Sequence, residues 1–187
     1  MSLEFNRRSF LKYSAAAAVA VAGSSLLTGC GEDEYQKTGK IGSTLKLMGT
    51  FKTYKSAVEP TKAPAYDATN NTFTCTVNIK CTTKKVPLAV TADKFLLTVN
   101  PGKNEDNYYG NTYVTVERED PKFTVDDGER DFTITVKNVK LANDNKVEFI
   151  YFPRIQASSG NSGYTRAFCT WKMTAKADAA TGAITLE

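Results

Sequence analysis

Apolar and polar residues alternate with a period of two, and this pattern constrains the fold of the chain more than any other feature. Between Phe73 and Cys81 every second residue is apolar, while threonine, asparagine and lysine occupy the positions between them. Successive side chains of a β-strand point to opposite faces, so the pattern predicts a strand with one buried face. A helix would need its apolar residues three or four positions apart.

The same alternation recurs in short segments at residues 45–51, 95–99, 114–116, 132–136, 167–173 and 184–186, after an apolar segment at 88–90. Residues 147–152 are apolar on both sides apart from Glu148, which is typical of a central strand. Turn sequences separate them, at residues 100–102, 126–128, 143–145, 158–163 and 181–182. Residues 30–187 contain 23 threonines and 11 valines against 7 leucines, which favours strands over helices. We predict an all-β, antiparallel sandwich of about seven to eight strands, with a closed barrel as the alternative and one helical turn at residues 91–94.

A basic segment opens the chain and precedes an alanine-rich apolar stretch at residues 13–27. A permanent bilayer span needs about 20 apolar residues, so this shorter stretch predicts a signal peptide. Asparagine replaces the usual first serine or threonine, but the segment resembles the twin-arginine export signal at Arg7, Arg8, Phe10 and Leu11. The resemblance implies passage of a folded chain through the twin-arginine translocase. A general secretory signal with an incidental arginine pair is the alternative.

The apolar stretch ends in Leu-Thr-Gly before Cys30, which resembles the lipobox of bacterial lipoproteins. The resemblance implies that lipoprotein-processing enzymes attach diacylglycerol to the thiol, cleave before Cys30 and add a further acyl chain such as palmitate. Two or three chains make membrane attachment durable. A plain signal peptide with an incidental cysteine is the alternative. The polar residues 30–40 predict a flexible tether, so the domains are a leader at 1–29, the tether, and a sandwich at 41–187.

The strand pattern also resembles a family at residues 40–51, 72–80, 88–99, 132–136 and 147–151. This family comprises immunoglobulin-like domains of unknown function in bacterial lipoproteins, related to the mycobacterial immunoprotective extracellular antigen. The resemblance implies an immunoglobulin-like fold and an extracytoplasmic location in the cell envelope. It supplies no catalytic residues.

Composition excludes several classes of function. The chain contains no histidine, which removes histidine-based triads, histidine metal sites and imidazole acid–base chemistry. Its formal net charge is +4, the leader supplies +2 of this, and the remaining lysines are scattered among carboxylates. Nucleic-acid binders concentrate their basic residues on one face, so we expect no nucleic acid as partner. The sequence shows no cofactor motif, and we expect no cofactor.

Three cysteines remain once Cys30 is assigned to lipid. Cys75 and Cys81 lie on one face of the same predicted strand, about 20 Å apart, and cannot bond to each other. One of them could pair with Cys169, but three buried thiols acting as small apolar residues are the favoured interpretation. Zinc is disfavoured because its sites usually need four closely spaced ligands.

Carboxylates cluster at residues 117–120 and again at residues 126–131. Their spacing lacks the alternation of the helical calcium loop, so solvated turn acids are favoured over a calcium site. We expect no metal.

Residues 104–111 form a predicted polar loop that carries Tyr108 and Tyr109. Tyrosines on a loop give a large contact area at low entropic cost, so this is a possible ligand loop for an envelope protein or a glycan. The alternative is that one tyrosine packs onto the sandwich.

Together these features predict a lipid-anchored extracytoplasmic protein that acts as a binding or interaction module and not as an enzyme. Two other functions stay open. One is a histidine-free envelope enzyme, such as a carboxylate-based glycosidase, which needs two acids at a set separation in a cleft. The other is a solute-binding accessory protein for a transporter, which needs an enclosed cavity.

Overall fold

The computed structural model describes residues 36–48, 55–60, 63–82, 87–102, 107–153, 155–156, 164–165 and 168–187. Sixteen strands lie within these ranges: β1 (Gln36–Lys40), β2 (Leu45–Met48), β3 (Lys55–Pro60), β4 (Ala65–Asp67), β5 (Thr72–Cys81), β6 (Leu88–Val90), β7 (Phe95–Val99), β8 (Tyr108–Gly110), β9 (Val114–Val116), β10 (Asp120–Phe123), β11 (Glu129–Val136), β12 (Lys146–Tyr151), β13 (Ile155–Gln156), β14 (Tyr164–Thr165), β15 (Phe168–Ala177) and β16 (Ile184–Leu186). Three short 3-10 turns accompany them, at Ala92–Lys94, Asn111–Tyr113 and Val125–Asp127.

Most strands belong to two sheets. Sheet 1 has the order β1-β15-β12-β7-β8, with β16 also paired to β15, and sheet 2 has the order β2-β3-β5-β11-β9, with β4 also paired to β5. Two small pairs, β6 with β10 and β13 with β14, complete the described strands. The pairing of β1 with β15 is parallel, and the other described pairings are antiparallel.

The strand order is that of an immunoglobulin-like sandwich. In sheet 2, β3-β5-β11-β9 corresponds to strands A-B-E-D, and in sheet 1, β15-β12-β7-β8 corresponds to G-F-C-C′. The two sheets pack face to face, since the ring of Phe73 in sheet 2 lies 5.6 Å from the ring of Phe149 in sheet 1. One continuous apolar core draws residues from both sheets. The predicted all-β antiparallel sandwich is therefore confirmed.

The alternation that predicted β5 also explains its burial. Its apolar residues are at most 1% exposed and face the core: Phe73, Cys75, Val77, Ile79 and Cys81. The partner strand β11 repeats the pattern, with Ile134 opposite Cys75 and Phe132 opposite Val77. Threonines between these positions face outwards, where β-branched side chains fit a half-buried sheet surface.

Positive backbone φ angles mark four of the predicted turns. They occur at Asn100 (48°), Gly128 (72°), Asp144 (63°) and Gly182 (70°). Asparagine, aspartate and glycine reach this region at the least steric cost, which is why they signal turns in a sequence. The predicted helical turn before Phe95 is also present, as the 3-10 turn Ala92–Lys94. The predicted turn at residues 158–163 lies outside the described residues.

Two predictions need correction. The described residues hold more strands than the seven or eight expected, because several strands have only two to five residues and lack a clear alternation. The predicted tether at 30–40 is too long, since Gln36–Lys40 forms β1 and pairs in parallel register with β15. The sandwich therefore begins at least five residues earlier than residue 41.

Candidate functional site

Strand β8, which carries the two tyrosines of the possible ligand loop, is a sheet edge and not a loop. It pairs with β7, so that Tyr109 stands opposite Leu97 and Tyr108 opposite Thr98. Tyr109 shares the inward face with Leu97 and is only 8% exposed. The predicted loop is corrected, because its tyrosines belong to a strand. The burial of Tyr109 confirms the alternative that one tyrosine packs onto the sandwich.

The exposed aromatic residue of this region is Tyr113, in the 3-10 turn that follows β8. It is 40% exposed, whereas the other large apolar side chains that the structure describes are buried or half-buried. Its ring packs edge-on against Tyr109, with centroids 5.8 Å apart and an interplanar angle of 80°. We call Tyr108, Tyr109 and Tyr113 the aromatic edge. In the sequence Tyr113 alternates with Val114 and Val116, and no local pattern groups it with Tyr109.

Tyr108 stands opposite Thr98 on the outer face of sheet 1. By register, Thr98, Glu148 and Lys172 follow one another across three strands. Glu148 and Lys172 form an ion pair with a nitrogen–oxygen distance of 3.4 Å. Thr98 is 1% exposed, and among the described buried side chains its Oγ1 lacks a hydrogen-bond partner. A buried, unpaired hydroxyl of this kind costs about 1–3 kcal/mol.

The two acidic clusters are held by protein partners. Arg130 bonds to Asp120 at 3.1 Å and pairs with Asp127 at 3.7 Å, while its guanidinium lies over the rings of Phe123 and Phe132 at 5.3 and 5.7 Å. Hydrogen bonds from Thr124 lower the pKa of Asp127. Sequence reasoning missed the role of Arg130, because Phe123 and Phe132 come from strands that do not pair with each other.

Other acids of these clusters are also engaged. Asp131 accepts a hydrogen bond from Asn78 at 2.9 Å, and Glu129 lies 3.6 Å from the Lys80 ammonium. Glu119 accepts a hydrogen bond from the backbone N–H of Ala92 at 2.7 Å. Over the ranges that the structure describes, no three cysteine or acidic side chains are arranged to hold a metal ion.

Three thiols lie in the core without disulfide bonds, as the favoured interpretation predicted. Burial raises the pKa of Cys75 to about 12 and raises the pKa of Cys169 still further. Because the thiolate is the reactive form, these two cysteines act as small apolar residues and not as nucleophiles.

Register also defines the two ends of sheet 1. At one end, which we call the Gln36 end, the first residues of β1, β15 and β7 lie beside the last residue of β12. There Gln36 lies opposite Phe168, and Tyr151 lies opposite both Cys169 and Phe95. We call the other the Asn100 end, where β7 runs into the turn at Asn100 and β15 into the turn at residues 178–182.

Hydrogen bonds link side chains and backbone at the Asn100 end. The backbone N–H of Lys146 donates to Asn100 Oδ1 at 2.9 Å, and the backbone N–H of Asn100 donates to the Lys146 carbonyl at 2.7 Å. The hydrogen bond from Lys176 lowers the pKa of Asp144, and the carboxylate raises the pKa of Lys176. A hydrogen bond from the backbone N–H of Thr181 is the largest cause of the lowered pKa of Asp178. This end is a polar and well-braced surface.

Residues 4–24 match the family model of the TAT (twin-arginine translocation) pathway signal sequence. The chain carries a twin-arginine signal. The match contains Arg7, Arg8, Phe10 and Leu11, although these residues and Cys30 lie outside the described residues. The protein therefore transits the twin-arginine translocase and is extracytoplasmic.

Comparison with solved structures finds a secreted protein of Mycobacterium tuberculosis, MPT63. The alignment covers 74% of this chain and 98% of that chain, with 14% sequence identity and a TM-score of 0.39. No curated protein matches the sequence. None of the helical segments in the described ranges has the length and hydropathy of a membrane span.

Proposed function

We propose that the protein is a lipoprotein acylated at Cys30, which displays a non-enzymatic interaction module in the cell envelope. One observation carries the proposal: Cys30 follows the matched signal, which ends at residue 24, and precedes β1, which begins at Gln36. Cleavage before Cys30 would remove the whole export signal and no described residue of the sandwich. The new N-terminus would then be the residue that takes the lipid.

The residues around Cys30 suit this chemistry. Thr28 and Gly29 are small, so a membrane peptidase can approach the backbone closely. Alkylation of the thiol by a diacylglyceryl group supplies two acyl chains, each binding at about 0.8 kcal/mol per buried methylene. The resulting anchor would replace the leader as the attachment to the membrane. Membership of the immunoglobulin-like domains found in bacterial lipoproteins is part of this proposal.

The aromatic edge supports a role in binding. Tyr113 presents an exposed ring that is held in place by the buried ring of Tyr109. A tyrosine fixed from beneath offers a large contact area and loses little side-chain entropy on binding. Such a surface suits an envelope protein or a glycan as partner.

The carboxylates with a shifted pKa are not candidates for a general acid. Such an acid near neutral pH needs a raised pKa, whereas hydrogen bonds lower the pKa of Asp67, Asp127, Asp144 and Asp178. The raised pKa values of Cys75 and Cys169 likewise oppose nucleophilic chemistry.

Acylation is tested by growing the host with a labelled fatty acid and comparing wild type, Cys30→Ala and Cys75→Ala. We expect label on the wild type and on Cys75→Ala, and its complete loss from Cys30→Ala. Detergent partitioning should change in parallel. Label that persists on Cys30→Ala would overturn the proposal.

Binding at the aromatic edge is tested with a photo-crosslinking amino acid at position 113, with position 181 as the matched exposed control. We expect a discrete crosslinked product in intact cells from position 113 only. Equal products from both positions, or none from either, would contradict a binding role for the edge.

A further inference from the structure

The distance between the proposed lipid and the folded domain has a covalent upper limit. Gln36 begins β1 and lies six positions after Cys30. A fully extended chain spans at most about 3.6 Å per residue, so the start of β1 is within about 20 Å of the acylated residue whatever the conformation between them. This limit is shorter than the domain itself, since the ten residues of β15 span about 30 Å.

The structure fixes which part of the domain is brought close. Because β1 runs parallel to β15, Gln36 lies at the beginning of β15, beside Phe168. The end of β12 and the beginning of β7 lie at the same Gln36 end. The Asn100 end of the sheet carries the turns at Asn100, at residues 142–145 and at residues 178–182.

We propose that the Gln36 end of the sandwich faces the lipid bilayer and that the Asn100 end points away from it. The inference rests on the proposed acylation of Cys30. It assigns the end of the domain that lies nearest to the lipid headgroups. A tether reaching to Lys40 would have left this orientation undetermined, since its limit would approach the length of the domain.

The two ends differ in their side chains, and each also carries an exposed acid, which at the Gln36 end is Asp93. At the Gln36 end, the ring of the half-buried Phe152 lies 5.5 Å from the ring of Phe168, which is the first residue of β15. This end therefore carries an aromatic pair. At the Asn100 end, the exposed Asn143 and Asp144 accept hydrogen bonds from β15, and the exposed Asp178 accepts one from its own turn. Charged and amide groups of this kind favour water over the bilayer.

The orientation is tested on purified, acylated, full-length protein in phosphatidylcholine vesicles that contain an acceptor-labelled headgroup. A thiol-reactive donor is placed at Thr112→Cys, near the Gln36 end, or at Ala180→Cys, at the Asn100 end. Both positions are exposed, whereas the three native core thiols are buried. Because the ends lie about 30 Å apart, we expect quenching at position 112 to exceed quenching at position 180 by about twofold.

A matched variant carries about ten extra Gly and Ser residues after Gly31, which extends the covalent limit to about 55 Å. We expect this insert to abolish the difference between the two positions while the protein stays bound. Equal or reversed quenching on the protein without the insert, with acylation verified by mass, would overturn the orientation alone. Protein that is not acylated at Cys30 would instead overturn the proposed function.

Discussion

The core and the aromatic edge use the same kind of residue for different purposes. In the core, the rings of Phe73, Phe149 and Trp171 are fully buried. The centroid of the Phe149 ring lies 5.6 Å from that of Phe73 and 6.0 Å from that of Trp171. At the edge, Tyr109 is buried while Tyr113, in contact with it, is 40% exposed. Aromatic residues of the core therefore hold the two sheets together, whereas those of the edge create an exposed surface.

The largest effect is expected from Trp171→Ala, which removes an aromatic ring from the core. Trp171 is fully buried, and its Nε1 donates to the Ser43 carbonyl at 2.9 Å. We expect the free energy of unfolding to fall by about 3–5 kcal/mol, measured by chemical denaturation. Trp171→Phe, the control, keeps a ring in the core and should cost less. An equal loss from both variants would show that ring packing is not the dominant contribution.

A smaller loss of stability is expected from Gly39→Ala, which tests whether β1 pairs with β15 next to Trp171. Gly39 lies opposite Trp171, and a Cβ there would meet Leu45 Cδ2 at 2.8 Å and Ser43 Cβ at 3.0 Å. Overpacking of this kind costs about 1–3 kcal/mol. Gly31→Ala, before the first strand, should leave the unfolding midpoint unchanged. If both variants are neutral, the assignment of β1 is wrong.

Thr98→Val is expected to stabilise the protein by about 1 kcal/mol, because it replaces a buried hydroxyl that lacks a partner with a methyl group. The position stands opposite Tyr108 of the aromatic edge, so the variant tests the strand next to that edge. Thermal and chemical unfolding both provide the measurement. A destabilisation would show that the hydroxyl has a partner after all.

Tyr113→Ala should change the free energy of unfolding by about 0.5 kcal/mol or less, as is usual for exposed positions. The same variant should weaken any binding through the aromatic edge. Tyr109→Ala, in contrast, should lower stability because Tyr109 is a core residue. A large loss of stability in Tyr113→Ala would remove the distinction between the edge and the core.

The smallest effect is expected at the Asn100 end, as a dependence on pH. The pKa of Asp144 is lowered in the folded protein, so the stability that it contributes is present above the ordinary pKa of about 4 and is lost as pH falls through the lowered value. The pKa of Lys176 is raised, so its contribution is lost only as pH rises through that higher value. Asp144→Asn should flatten the acid side of the profile, and added salt should weaken the effect in wild type. An unchanged acid profile would contradict the assignment.

The sequence was sufficient to predict the central strands. β5, β11 and β15 combine apolar alternation with adequate length, and the burial of one face follows directly from the pleat. From Val147 onwards, β12 is apolar on both faces apart from Glu148, as expected of a central strand. The turns at Asn100, Gly128, Asp144 and Gly182 were predictable because few residues reach a positive φ at low cost.

The sequence was not sufficient for the edges. Gln36–Lys40 has no apolar residue, and its strand conformation depends on parallel pairing with a segment more than 120 residues away. The composition of residues 104–111 is that of a loop, so the pairing of β8 and the burial of Tyr109 could not be read from it. The aromatic edge and the cluster around Arg130 both depend on contacts between elements, which no local pattern encodes.

The measurement that tests the central claim most directly is the mass of the mature N-terminal peptide, isolated from membranes of the native host. We predict that this peptide begins at Cys30 and carries the mass of a diacylglyceryl group, with or without a further acyl chain. A peptide in which Met1 remains joined to an unmodified Cys30 would contradict it.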